Sequence, residues 1–109
     1  MSYDVRFSPE ALADLIDLRR FLTPGAGFER ASAYVDDIVD DAESLATFPQ
    51  RGRVRDEIRP GLRVIGYRRR VSLAFTVGPE TVTILGVFYA GRDAQAALRQ
   101  ETALVAPRR

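Results

Sequence analysis

The stretch "SYDVRFSPEALADL", residues 2–15, decides the fold, because the hydrophobic period changes inside it. Tyr3, Val5 and Phe7 alternate with Asp4 and Arg6, the two-residue period of a strand with one buried face. Ser8 then precedes Pro9 and Glu10. These supply a capping hydroxyl, a proline where a missing N–H costs nothing, and a carboxylate at the positive end of a helix dipole. A helix must therefore follow the strand directly. Its apolar positions Ala11, Leu15, Leu18 and Leu22 step by four, three and four residues, Leu12 and Ile16 widen the stripe, and "TPGAG" at 23–27 reads as its end.

Working outward, "FERASAYVDDIVDDAESLATF" at 28–48 repeats the helical spacing in Ala31, Val35, Ile38, Ala42 and Leu45, with Tyr34 and Val39 beside the seam. Two matching stripes joined by five residues predict an antiparallel hairpin that touches both its partner helix and a sheet. Pro49 and Gly52 close the second helix. From residue 62 the period changes again. "LRVIGY", "VSLAFTV" and "TVTILGVF" are short and rich in β-branched and aromatic residues, and "RRR" and "GPE" separate them. They predict three meandering antiparallel strands. In the middle one Val71, Leu73, Phe75 and Val77 face the helices, while Ser72, Ala74 and Thr76 form a small face that could be left open. Asp93 is a plausible N-cap for a short C-terminal helix. The expected fold class is α+β: an N-terminal strand, an antiparallel helical hairpin packed on an antiparallel β-sheet of about four strands, and that last helix, all in one domain over residues 1–109.

Composition bounds the chemistry. A chain of 109 residues, 46% hydrophobic and 28% charged, suits one globular domain. No apolar run approaches the roughly 18 residues of a membrane span, and "MSYDVRFSPE" lacks the apolar centre of a signal peptide, so a cytoplasmic location is expected. The absence of cysteine excludes disulfides, thiol catalysis and thiolate-ligated metals. Histidine and lysine are absent too, and all sixteen basic residues are arginine. Arginine neutralises anions but is a poor proton shuttle, which leaves Asp, Glu and four tyrosines for proton transfer.

The charge is lopsided. Residues 1–50 hold four arginines and ten acids; residues 51–109 hold twelve arginines and five acids. "RGRVRDEIRPGLRVIGYRRR" at 51–70 alone carries eight arginines against Asp56 and Glu57. A one-sign field of this density points to an anionic partner. Tyr67 is the only aromatic residue within it and the sequence pI is about 8.2, so an acidic protein segment fits at least as well as nucleic acid. The plainer alternative is a solvated extended stretch followed by a charged hairpin tip.

"VRFSPEALADL" at 5–15, "AYVDDIVDDAESLATFPQRGRV" at 33–54 and "VTILGVFYAGRD" at 82–93, in this order, resemble the RelE and ParE superfamily of toxins from bacterial toxin–antitoxin modules. The more specific pieces are the Phe-Ser-Pro-x-Ala start, Leu45 with Pro49 and Gly52, and the closing Gly91-Arg92-Asp93. The resemblance implies a helical hairpin over an antiparallel sheet and a toxin silenced by a cognate antitoxin. In the RelE branch it implies ribosome-dependent cleavage of messenger RNA; in the ParE branch, inhibition of DNA gyrase by binding. A third alternative is a non-toxic relative that serves only as a partner for its antitoxin.

A ribonuclease of this kind would have Arg63, Tyr89 and Arg92 available, with Tyr89 standing where many relatives carry histidine. Without histidine or lysine to move the proton, and with a packing role the simpler reading of Tyr89, the ParE branch is preferred and no catalytic residue is expected. Leu12, Ile16, Arg19, Tyr34, Arg59 and Arg63 are expected to meet a ParD-like antitoxin, and Arg51, Arg53, Arg55 and Arg92 the target. In "DDIVDD", Asp36, Asp37 and Asp40 match a magnesium-binding pattern of prenyl-diphosphate enzymes, but that chemistry needs a second acidic motif and a large helical cavity. These acids read as a solvated helix face, and neither a metal nor a cofactor is expected.

Overall fold

The computed structural model describes residues 2–67 and 70–89. The expected C-terminal helix from Asp93, Arg92, and the tip residues Arg68 and Arg69 lie outside the described residues. In chain order the elements are β1 (Asp4–Phe7), α1 (Pro9–Ala26), α2 (Phe28–Glu43), a 3₁₀ turn (Ser44–Ala46), β2 (Arg53–Val54), β3 (Arg63–Tyr67), β4 (Val71–Val77) and β5 (Thr81–Tyr89). The strands form one sheet in the order β1-β5-β4-β3-β2, and every pair is antiparallel except β1 with β5. The sheet thus has five strands and is mixed. The extra strand, β2, has two residues and is too short to show a period in sequence. The parallel pair follows from the hairpin, which carries the chain across the sheet before the meander returns beside β1.

β1 ends opposite Ile84, so the rest of β5 has no strand on that side. The entry to α1 satisfies this edge. The Ser8 amide donates to Ile84 O at 2.9 Å, its hydroxyl donates to Leu85 O at 3.3 Å, and the Val87 amide donates to Asp14 Oδ2 at 2.9 Å. Ser8 Oγ also accepts from the Ala11 amide at 3.0 Å, which makes it the helix cap expected from the sequence.

The expected five-residue link between the helices is a single glycine. α1 runs through Pro24 to Ala26, because a proline in the last turn removes one hydrogen bond near a helix end, and the Thr23 hydroxyl donates to Arg19 O at 2.6 Å beside it. Gly27 turns the chain at φ 92° and ψ 156°, a region open essentially only to glycine.

Ala11, Leu15 and Leu18 of α1 and Ile38 and Ala42 of α2 are buried against Val71, Leu73 and Phe75 of β4 and Val82 and Ile84 of β5. A bulge in β5 then reverses its inside and outside: Phe75 pairs with Ile84 but Ala74 with Gly86, leaving Leu85 as the extra residue. Before the bulge Val82 and Ile84 face the helices; after it Val87 does, while Leu85 and Phe88 join the opposite face. That opposite face is not open at this end. Leu62, Ala74 and Phe88 are buried there with Ile58, Val64 and Leu85 around them, because the loop between β2 and β3 folds over it.

Candidate functional site

The apolar stripe of α1 is wider than the core it covers. Ala11, Leu15 and Leu18 are buried, whereas Leu12 and Ile16 on the next flank remain 50% and 46% exposed. Arg19 continues that flank, its guanidinium 5.2 Å from the ring centre of the exposed Phe28. Leu12, Ile16 and Arg19 thus form a ridge of two aliphatic side chains ending in a cation held over an aromatic face. Such a ridge is suited to the apolar side of another helix with an acidic residue at one end.

Tyr34 does not join this ridge. It packs against the main core and lines an open cleft of about 410 Å³ at the far end of the hairpin, together with Leu22, Ala26 and Arg30 and with Tyr89 at the end of β5. Arg59 and Arg63 are distant from the ridge as well. α1 packs on β1 and β5, whereas Arg63 lies on β3 and Arg59 in the loop before it. The six residues expected to meet the antitoxin therefore fall into three places.

The arginine-rich segment is partly occupied by its own fold. Arg51 donates to Ser44 Oγ at 3.0 Å. The Arg55 side chain, 15% exposed, pairs with Glu57, and the Arg55 amide donates to Leu62 O at 2.8 Å. Arg63 donates to Gln50 Oε1 at 2.7 Å and to Arg51 O at 3.3 Å. It opposes Phe75, so it lies on the helix side of the sheet. Arg51, Arg55 and Arg63 thus brace the chain between α2 and β3. The side chains of Arg53 and Arg59 make no hydrogen bond or ion pair among the described residues. Of the expected target-binding arginines that lie among the described residues, Arg53 is the exposed and uncommitted one.

Tyr89 meets the Phe21 ring edge to face, with centroids 5.7 Å apart and planes at 62°, which is the packing role read from sequence. It pairs with Val71, which pairs with Tyr67, four residues along β3 from Arg63. Strand spacings put the two backbones roughly 16 Å apart. Each side chain is held by its own structural partner, Phe21 for Tyr89 and Gln50 for Arg63, and nothing in the geometry aims the two at one point among the described residues. No group of three or more Asp or Glu side chains among the described residues is placed to hold a metal ion, and no helix among them is long and apolar enough to cross a membrane.

Three structural residues escaped the sequence reading. Asp14 sits inside the apolar stripe of α1, three residues after Ala11 and four before Leu18, and this position was the available signal for a buried-edge partner. Gln50 and Phe28 carried no comparable signal, since each depends on a neighbour brought up by the fold.

Residues 5–94 match the family model of the ParE toxin of the type II toxin–antitoxin system parDE. No curated protein matches the sequence. Among solved structures, the chromosomal ParDE toxin–antitoxin system of P. aeruginosa is similar, with 26% identity over 81% of this chain and 96% of that one and a TM-score of 0.71. The RelBE2 toxin–antitoxin complex of Mycobacterium tuberculosis is 22% identical over 82% of this chain and 99% of that one, with a TM-score of 0.59. A mutant of the E. coli toxin RelE in the free state is 16% identical over 93% of this chain and 97% of that one, with a TM-score of 0.63. The last two likenesses bear on the fold alone.

Proposed function

The chain belongs to the ParE toxin family of type II toxin–antitoxin systems, and from that membership we propose that it poisons DNA gyrase by binding, without catalysis of its own, and that a cognate antitoxin silences it. The observation that supports this reading over RNA cleavage is the structural engagement of Arg63 and Tyr89. Each has a structural partner, Gln50 and Phe21 respectively, and their backbones stand roughly 16 Å apart. A ribonuclease needs a base, an acid and a charge stabiliser around one phosphate. With neither histidine nor lysine in the chain, the described residues supply no such cluster.

On this reading the exposed ridge of Leu12, Ile16 and Arg19 receives an amphipathic helix of the antitoxin, and Arg53 and Arg59 remain for an anionic surface. The paired test uses one preparation of freshly released toxin. Supercoiling by gyrase is followed with detection of cleavage complexes, beside ribosomal translation of a reporter message with mapping of any cuts. Inhibited supercoiling with intact message is expected. Cuts in the message with gyrase unaffected would replace this reading by a RelE-like one, and no effect in either assay would leave an antitoxin-binding relative without toxicity.

A further inference from the structure

The ridge on α1 is not the only apolar surface left uncovered. The cleft at the far end of the hairpin has a floor of small side chains, Ala26, Ala31 and Ala33, beside Leu22, and tyrosine walls contributed by Tyr34 and Tyr89. Its volume of about 410 Å³ lies in the range of pockets that accept a bulky group. Arg30, Arg70 and Asp37 also line it, so two cations face one carboxylate; Arg30 and Arg70 are both exposed, and neither side chain forms a hydrogen bond or ion pair among the described residues.

We propose that this cleft is a second antitoxin subsite, which takes a bulky apolar side chain between Tyr34 and Tyr89 while flanking carboxylates pair with Arg30 and Arg70. The proposal rests on the antitoxin reading above and adds where and how a further part of the antitoxin is held. An apolar floor with two uncommitted guanidinium groups at its edge matches an acidic segment bearing one large apolar anchor. The ridge and the cleft lie at different places on the same hairpin, and Phe21 and Phe28, 63% and 60% exposed, lie in the helical segments flanking its Gly27 turn. An antitoxin seated on the ridge can therefore reach the cleft around that turn.

The two other occupants fit less well. Residues 90–109 follow directly from Tyr89, but they carry four arginines against Asp93 and Glu101, so their excess charge has the same sign as the rim. A second copy of the chain would offer its own acids at Asp36, Asp37, Asp40 and Asp41. The large apolar residue among those, Ile38, is fully buried and cannot serve as an anchor.

Because the chain contains no cysteine, a single introduced thiol reports on one place. Ala33→Cys marks the cleft and Ile16→Cys the ridge, each in the full chain, either in the complex purified from the native host with its antitoxin or after release from it. The rate of maleimide labelling is the readout. Both variants are expected to label rapidly when released and about tenfold or more slowly in the complex, since thiol reactivity follows exposure. Arg30→Glu with Arg70→Glu is expected to weaken antitoxin affinity about tenfold or more while Ile16→Cys stays protected. If the Ile16→Cys variant is protected and Ala33→Cys labels equally fast in both states, the cleft proposal is overturned and the antitoxin reading stands. If neither is protected although the complex is intact, that reading fails too. Protection of the Ala33→Cys variant in the released chain that disappears on removing residues 93–109 would assign the cleft to the chain's own tail. Protection in the released chain that grows with concentration would assign it to a second copy. Either outcome overturns the proposal.

Discussion

Asp14 shows how one side chain can complete a sheet. Because β1 ends opposite Ile84, the Val87 amide lies on an edge of β5 that no strand covers, and Asp14 Oδ2 accepts it at 2.9 Å from within the packed face of α1. Removing the carboxylate leaves a part-buried donor without its partner, which costs more than the bond itself contributes. Asp14→Ala is expected to destabilise the fold by about 1–3 kcal/mol in urea unfolding, and Asp14→Asn, which keeps an acceptor in place, by less. Equal losses for the two variants would mean that charge, not the hydrogen bond to Val87, holds the edge. A different balance holds at Arg63. Its two hydrogen bonds join residues 50 and 51 to β3, so its replacement by alanine acts first on stability rather than on any bound target.

At the scale of elements, glycine positions divide what was legible in the sequence from what was not. The cap at Ser8, the stripes of α1 and α2 and the three-stranded meander follow from local periodicity, and so they could be read directly. The single-residue hairpin turn, the parallel placing of β1 and the bulge in β5 depend on neighbours distant in sequence. Gly27 and Gly86 were their only local traces. Within the candidate site the same division appears. Exposure of Leu12 and Ile16 extends a visible stripe, whereas the dispersal of Tyr34, Arg59 and Arg63 depends on which strand follows which. Gly52 and Gly61 share φ 79° and differ in surroundings: a Cβ at Gly52 would stand 2.6 Å from Val64 O, whereas nothing lies within 4 Å at Gly61. Both alanine variants carry the left-handed penalty of about 1 kcal/mol or more, and only Gly52→Ala must also push β2 away from β3. Thermal unfolding is expected to show a clearly larger loss for Gly52→Ala. Equal shifts in Tm would mean that the β2–β3 pairing relaxes freely.

Across the whole molecule, charge and apolar surface are segregated in a way that assigns them different kinetic roles. The helical hairpin carries the acidic stretch Asp36 to Asp41 and the exposed Leu12 and Ile16, whereas the β2–β3 side carries Arg53 and Arg59, whose side chains have no partner among the described residues. An acidic antitoxin approaching such a molecule is oriented by the arginines before it seats on the ridge, and rim charges act mainly on encounter while a packed apolar anchor acts on escape. Arg53→Glu with Arg59→Glu is therefore expected to lower the antitoxin association rate about tenfold at low ionic strength, with little change in dissociation. The difference should shrink as the Debye length falls from about 10 Å at 0.1 M salt to about 3 Å at 1 M. Ile16→Glu, at a half-exposed position where folding tolerates charge, should instead raise the dissociation rate, with an affinity loss of about 2 kcal/mol or more that persists at high salt. Stopped-flow association and dissociation at two salt concentrations separate the two effects. If Ile16→Glu leaves dissociation unchanged, the ridge on α1 is not where the antitoxin is held. If the paired arginine variant shifts dissociation rather than association, these side chains are seated contacts and the steering role passes to other charges.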